Sequence, residues 1–68
     1  MFKVLELKNE TSAQAREVGQ RYMTREEALA AVKKRLKTFK LSEHNPEGDY
    51  WRARDPNGLR KYWIARIN

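Results

Sequence analysis

The stretch WRARDPNGLRKYW, residues 51–63, decides how the C-terminal half of this 68-residue chain folds. Two runs rich in aromatic and Arg residues flank Asp55-Pro56-Asn57-Gly58. Pro presets the backbone for the second position of a type I turn, and Gly supplies the left-handed residue of a G1 bulge. The pattern predicts two strands, about 49–55 and 59–67, joined by a three-residue Pro-Asn-Gly loop. With that loop Asp55 faces Leu59, Arg54 faces Arg60, Arg52 faces Tyr62, Trp51 faces Trp63 and Tyr50 faces Ile64. Side chains alternate along a strand. One face then collects Trp51, Ala53, Leu59, Trp63, Ala65 and Ile67, which read as core. The other collects Tyr50, Arg52, Arg54, Arg60, Tyr62, Ile64 and Arg66, which read as surface.

The core face needs a cover, and residues 24–40, TREEALAAVKKRLKTFK, supply a helix. Thr24 is the N-cap and Glu27, three residues on, completes a capping box. Glu26 and Glu27 sit at the positive end of the helix dipole, Lys37 and Lys40 at the negative end. Ala28, Leu29, Val32, Leu36 and Phe39 form one stripe at helical spacing. Residues 41–48, LSEHNPEG, read as a loop because of Asn-Pro and Gly.

Toward the N-terminus, residues 2–7, FKVLEL, read as a strand. Its apolar residues fall on both parities, Phe2 and Val4 on one and Leu5 and Leu7 on the other, which implies cover on more than one side or a bulge. Residues 8–15 read as a loop. Residues 16–23 fit a strand around Val18–Tyr22 pairing with 2–7; the alternative is a helix starting at Thr11, with Gln14 in the capping-box position, and ending at Gly19. The expected fold is a single small α+β domain, one helix on a three- or four-stranded antiparallel sheet in the order ββαββ or βαββ. Its expected core is Val4, Leu29, Val32, Leu36, Phe39, Trp51, Trp63 and Ile67. The succession of strand, T-x-E-E-A helix opening and hairpin is common among small bacterial and phage domains, and it is no family signature.

Composition narrows the function. The chain carries a net charge of +6 and has no Cys, so disulfides and thiolate chemistry are excluded. MFKVLELKNE lacks the layout of a signal peptide, and no apolar run approaches the ~18 residues of a spanning helix, so a cytoplasmic chain off the membrane is expected. The charge is uneven. Residues 25–40 hold six cations and two anions, residues 49–68 five and two, while 41–48 hold only Glu43 and Glu47. A basic balance of this kind favours anionic partners, nucleic acid first.

Three groups of residues invite a functional reading. On the Arg/Tyr face, Tyr50, Arg52, Arg54, Arg60, Tyr62 and Arg66 suit single-stranded nucleic acid, because rings stack on bases and Arg pairs with phosphate. Arg54 opposite Arg60 is unfavourable across strands unless an external anion relieves it. The same face equally suits a solvated surface or a protein contact, where Tyr and Arg are also enriched. A secondary basic patch, Lys33, Lys34, Lys37 and Lys40, in which Lys33, Lys34 and Lys37 have no acidic residue three or four positions away, could track a phosphate backbone, although cations at a helix C-terminus need no ligand. Finally, His44 lies near Glu43, Glu47 and Asp49, but one His without a second nitrogen ligand makes a poor metal site. The expectation is a non-enzymatic nucleic-acid-binding domain without cofactor, metal or small-molecule substrate. The alternative is a protein-interaction module or homodimer using the same face or an edge strand.

Overall fold

A computed structural model describes residues 1–8, 15–55 and 58–67, Asp55 through its backbone alone. The elements are β1 (Phe2–Lys8), β2 (Arg16–Tyr22), α1 (Arg25–Leu36), β3 (Leu41–Asn45), β4 (Tyr50–Asp55) and β5 (Gly58–Arg66). They form one five-stranded sheet in the order β2-β1-β5-β4-β3, with every neighbouring pair antiparallel. The domain is α+β with the order ββαβββ, one strand more than the sequence pattern shows. The first and last strands pair at its centre, so the sheet closes only when the two ends of the chain meet.

The additional strand is β3, within the stretch expected to be a loop. LSEHN carries no β-branched residue and only one large apolar one, so it has no local strand signal. It is an edge strand, where polar residues are the norm. Its pairing with β4, from Leu41↔Arg54 to Asn45↔Tyr50, supplies the order. The Asn45 side chain closes the hairpin by accepting hydrogen bonds from the backbone N–H of Glu47 (3.0 Å) and Gly48 (3.2 Å).

Residues 16–22 form the expected strand against β1, not a helix. Between Phe2↔Tyr22 and Val4↔Val18 the register shifts, so β2 bulges at 19–21. Gly19 takes the left-handed conformation there, with φ of 74°. The loop expected over 8–15 falls mainly on residues 9–14, outside the described residues.

The helix begins as the capping box dictates. The Thr24 hydroxyl accepts the N–H of Glu27 at 3.2 Å and donates to the Glu27 carboxylate. It ends at Leu36 rather than continuing to residue 40. The N–H groups of Thr38 and Phe39 bond three residues back, to Arg35 and Leu36, which tightens the last turn and stops the helix. That stop drops Phe39 edge-on against Tyr62, with ring centroids 6.3 Å apart. The helix lies across β2, β1 and β5. Ala28 and Val32 are fully buried under it, and Leu29, Leu36 and Phe39 pack around them.

The 51–63 hairpin folds in a different register from the expected one. Asp55 pairs with Gly58, so two residues close the turn, not three. Pro56 and Asn57, and with them the expected turn type, lie outside the described residues. The pairs become Arg54↔Leu59, Ala53↔Arg60, Arg52↔Lys61, Trp51↔Tyr62 and Tyr50↔Trp63. A one-residue slip turns every side chain of a strand to the other face. Tyr62 and Ile64 therefore face the helix beside Trp51 and Ala53, while Trp63 leaves the expected core. Among the described residues the buried apolar set is Val4, Ala28, Val32, Trp51, Ala53 and Tyr62. Ile67 lies beyond β5, half-buried, its N–H bonded to the carbonyl of Met1 at 2.8 Å.

This register has a measurable signature. Trp51→Ala should cost about 3–5 kcal/mol of unfolding free energy in urea, and Trp63→Ala less than about half of that. Equal costs would mean that both Trp are core and that the register is the three-residue one. At the bulge, a Cβ on Gly19 would stand 3.1 Å from the Tyr22 hydroxyl in a strained backbone. Gly19→Ala should cost about 1–2 kcal/mol, against less than about 0.5 for Gln20→Ala.

Candidate nucleic-acid interface

The helix covers one face of the sheet. The other face, called open here, is built from the odd positions of β1 and β5 and the even positions of β4. Cross-strand pairing lays it out in rows. One row runs Leu5, Trp63, Tyr50, Asn45; the next runs Leu7, Lys61, Arg52, Glu43; a third runs Leu59, Arg54, Leu41. Leu5, Leu7, Leu59 and Trp63 are half-buried, and Leu41 is 66% exposed. The mixed parity of FKVLEL thus has its cause: β1 is apolar on both sides because both sides of the sheet are apolar near its centre.

The open face is also cationic. Lys61 Nζ stands 4.2 Å from the centre of the Tyr50 ring and 5.8 Å from that of Trp63, and the Arg52 guanidinium lies 5.7 Å from Tyr50. Tyr50 is held from several sides. Its hydroxyl accepts from the Asn45 amide at 3.0 Å, and a Cβ on Gly48 would stand only 2.6 Å from its ring. Tyr50 is thereby fixed in place, and Trp63, half-buried, is the second ring of this face. Beside them Arg52, Arg54, Glu43, Leu41 and Leu59 line an open cleft of about 350 Å³, near the lower bound of small-ligand pockets, about 300 Å³.

The structure divides the six residues of the expected Arg/Tyr face. Tyr50, Arg52 and Arg54 stand together on the open face. Arg60, Tyr62 and Arg66 belong to the helix side. Arg54 faces Leu59 and Arg60 faces Ala53, so the expected Arg54–Arg60 opposition does not exist. Tyr62 is 2% exposed and offers no ring to a partner. Its hydroxyl donates to Glu6 Oε2 at 2.7 Å. Arg16 reaches the other carboxylate oxygen at 3.0 Å. Arg60 is half-buried and donates to the carbonyl of Leu59, and Arg66 is exposed at the end of β5. Lys61, Trp63, Leu5, Leu7 and Leu59 take the vacated places. The signal that could have found them was the mixed parity of residues 2–7.

Glu6 is the one buried carboxylate among the described residues, 6% exposed. Burial raises its pKa, but hydrogen bonds from Tyr62 and Arg16 and the charges of Arg16 and Arg60 outweigh this and hold it below the ordinary 4.5. Burial, and then the Glu6 carboxylate itself, push the Tyr62 hydroxyl well above its ordinary 10. Neither group titrates near neutrality, so the pair is structural.

His44 stacks on Trp51 with ring centroids 4.6 Å apart, and its Nε2 lies 3.2 Å from Asp49. Asp49 also accepts from Arg25 at 2.7 Å. Hydrogen bonds from His44 and Arg25 hold the Asp49 carboxyl below 3.8. Glu43 points to the open face instead. No group of three His, Cys, Asp or Glu placed to hold a metal occurs among the described residues. Lys33, Lys34, Lys37 and Lys40 are all exposed, and the first three lie on α1 and its C-cap, on the opposite side of the sheet from the open face. No helix is long and apolar enough to cross a membrane among the described residues. Comparison with protein-family models, curated proteins and solved structures gives no match.

The Glu6 pair sets a pH dependence. A carboxylate with a depressed folded-state pKa contributes stability that is complete above its unfolded value and lost as pH falls through the folded one. Stability should therefore fall from about pH 4.5 downward, and the fall should be shallower in Glu6→Gln. Tyr62→Phe should cost about 1.5–3 kcal/mol at neutral pH, the range for a hydrogen bond to a charged group. Urea titrations from pH 3 to 7 check both; identical pH profiles for wild type and Glu6→Gln would remove Glu6 as the cause.

Proposed function

We propose that this chain is a small non-enzymatic domain that binds single-stranded nucleic acid on its open sheet face. The observation that carries the reading is Trp63, in the middle of that face, with Lys61 and Arg52 in the next row and Arg54 in the row after it. A base stacks on Trp63, Leu5 and Leu7 contact sugar and base edges, and the three cations meet successive phosphates. Stacking on one aromatic ring is worth about 1–3 kcal/mol per base and tolerates any sequence. Tyr50 holds the row in place, and Arg60, Tyr62 and Arg66 take no part in this version of the site.

A second reading, a protein-interaction module or homodimer on the same face, is favoured by Leu5, Leu7 and Leu59 around Trp63, since uncovered apolar surface marks contact sites. Charge argues against a second copy. Lys61, Arg52 and Arg54 outnumber Glu43, the anion that shares their rows, and Glu17 at the β2 edge is already engaged by Arg21 at 3.3 Å. An anionic partner relieves that charge.

The reading is tested by fluorescence anisotropy of labelled oligonucleotides at several salt concentrations. Binding should weaken with log salt with a slope of about −2, as for three phosphates on a single strand. Trp63→Ala should weaken it by about 1–3 kcal/mol, and Arg52→Ala and Lys61→Ala should each lower the salt slope by about 0.7. Unchanged binding in all three variants would remove this face as the site. No binding at low salt, with a thermal midpoint that rises with protein concentration, would instead establish self-association.

A further inference from the structure

The open face leaves the densest positive charge of the chain unused. Residues 25–40 carry six cations and two anions, and the anions, Glu26 and Glu27, lie in the first turn of α1. The C-terminal half of the helix and the turn after it expose Lys33, Lys34, Lys37 and Lys40. No ion pair involves any of these four among the described residues. A helix end accounts for one or two cations through its dipole, which fades within the last turn. It does not account for Lys40, beyond that turn, or for the lack of an ion pair to any of the four among the described residues. Lys33 and Lys37, one turn apart, also flank a shallow depression floored by Leu36, Phe39 and Ser42.

We propose that Lys33, Lys34, Lys37 and Lys40 form a second phosphate-binding surface, so that one molecule holds two nucleic-acid strands, one on each side of the sheet. The inference rests on the sheet-face reading for the first strand and on the lysines for the second. Side chains at i and i+4 stand ~5–6 Å apart on a helix, a spacing that follows a charged backbone rather than a single ion. The ring beside these lysines, Phe39, is packed edge-on against Tyr62, so the surface takes the phosphate backbone without reading bases. The two strands do not repel each other appreciably. The molecule measures 34 × 24 × 24 Å, and charges are screened beyond ~8 Å at physiological salt.

The test mixes the full chain with two short oligothymidylates, one carrying a donor dye and one an acceptor. About six nucleotides suffices, within the ~4–16-nucleotide sites of small single-strand binders. Tryptophan quenching that is lost in Trp63→Phe, which keeps only the core Trp51, reports the open face, and energy transfer between the dyes reports bridging. Wild-type protein should give both. Lys33→Gln/Lys34→Gln/Lys37→Gln should lower energy transfer about tenfold at moderate salt while leaving the quenching midpoint within about twofold. The corresponding triple Arg variant should bridge as wild type does. Quenching without energy transfer in the wild type overturns the second surface and leaves the sheet-face reading standing. Energy transfer that survives the triple Gln variant also overturns it, because bridging then comes from paired molecules. Loss of both signals in the wild type removes the second surface together with the sheet-face reading.

Discussion

The hydrogen bond from Tyr62 to Glu6 is the interaction on which the arrangement of this domain depends. It joins the last strand to the first across the centre of the sheet, 56 residues apart in sequence. Both groups are buried, and a buried carboxylate without partners is too costly to keep. Glu6 therefore faces the helix side only if Tyr62 stands opposite it and Arg16 closes the remaining oxygen from β2. Three strands are placed by that single condition. Once Tyr62 is turned inward, Ile64 follows it and Trp63 is turned out.

Everything on the open face is a consequence. Trp63, Lys61 and Leu59 share a parity, and they meet Leu5 and Leu7 of β1 and Tyr50, Arg52 and Arg54 of β4. One helix cannot cover both sides of five strands. The result is a sheet with a compact core on one side and a cationic, partly apolar surface on the other. An antiparallel sheet whose second face meets only water usually shows polar residues there. This one mixes Leu5, Leu7, Leu59 and Trp63 with Lys61, Arg52 and Arg54, and that mixture is what the proposed binding face rests on.

The helix side is closed by smaller devices at the two ends of α1. At the start, Thr24 and Glu27 cap the helix, and Arg25 ties it to Asp49, which also engages His44. His44 in turn lies flat on Trp51 at the β3–β4 end of the sheet, away from the helix's main contacts. At the other end the early stop after Leu36 brings Phe39 onto Tyr62. Residues that look like a loop with a stray histidine thus form the lid over one side of the core. The lysines at this end stay exposed.

The sequence by itself determined the elements whose signals are local. The capping box at Thr24, the apolar stripe from Ala28 to Leu36, the hairpin around Asp55–Gly58 and the α+β class all follow from neighbouring residues. It also determined where the charge lies, because charge moves with the chain. The tertiary structure decided what depends on pairing between distant segments. Strand β3 exists because β4 offers it an edge, not because LSEHN favours extension. The face of β5 was open to two readings, since its apolar residues occupy both parities and a turn of two or three residues fits the same Pro-Asn-Gly. Counting apolar residues favoured Trp63 as core. The choice went to Tyr62, because its hydroxyl has a buried carboxylate to meet and that carboxylate lies near the other end of the chain. For the same reason only half of the expected Arg/Tyr face remained together: Tyr50, Arg52 and Arg54 stayed, and Trp63 and Lys61 replaced Tyr62 and Arg60.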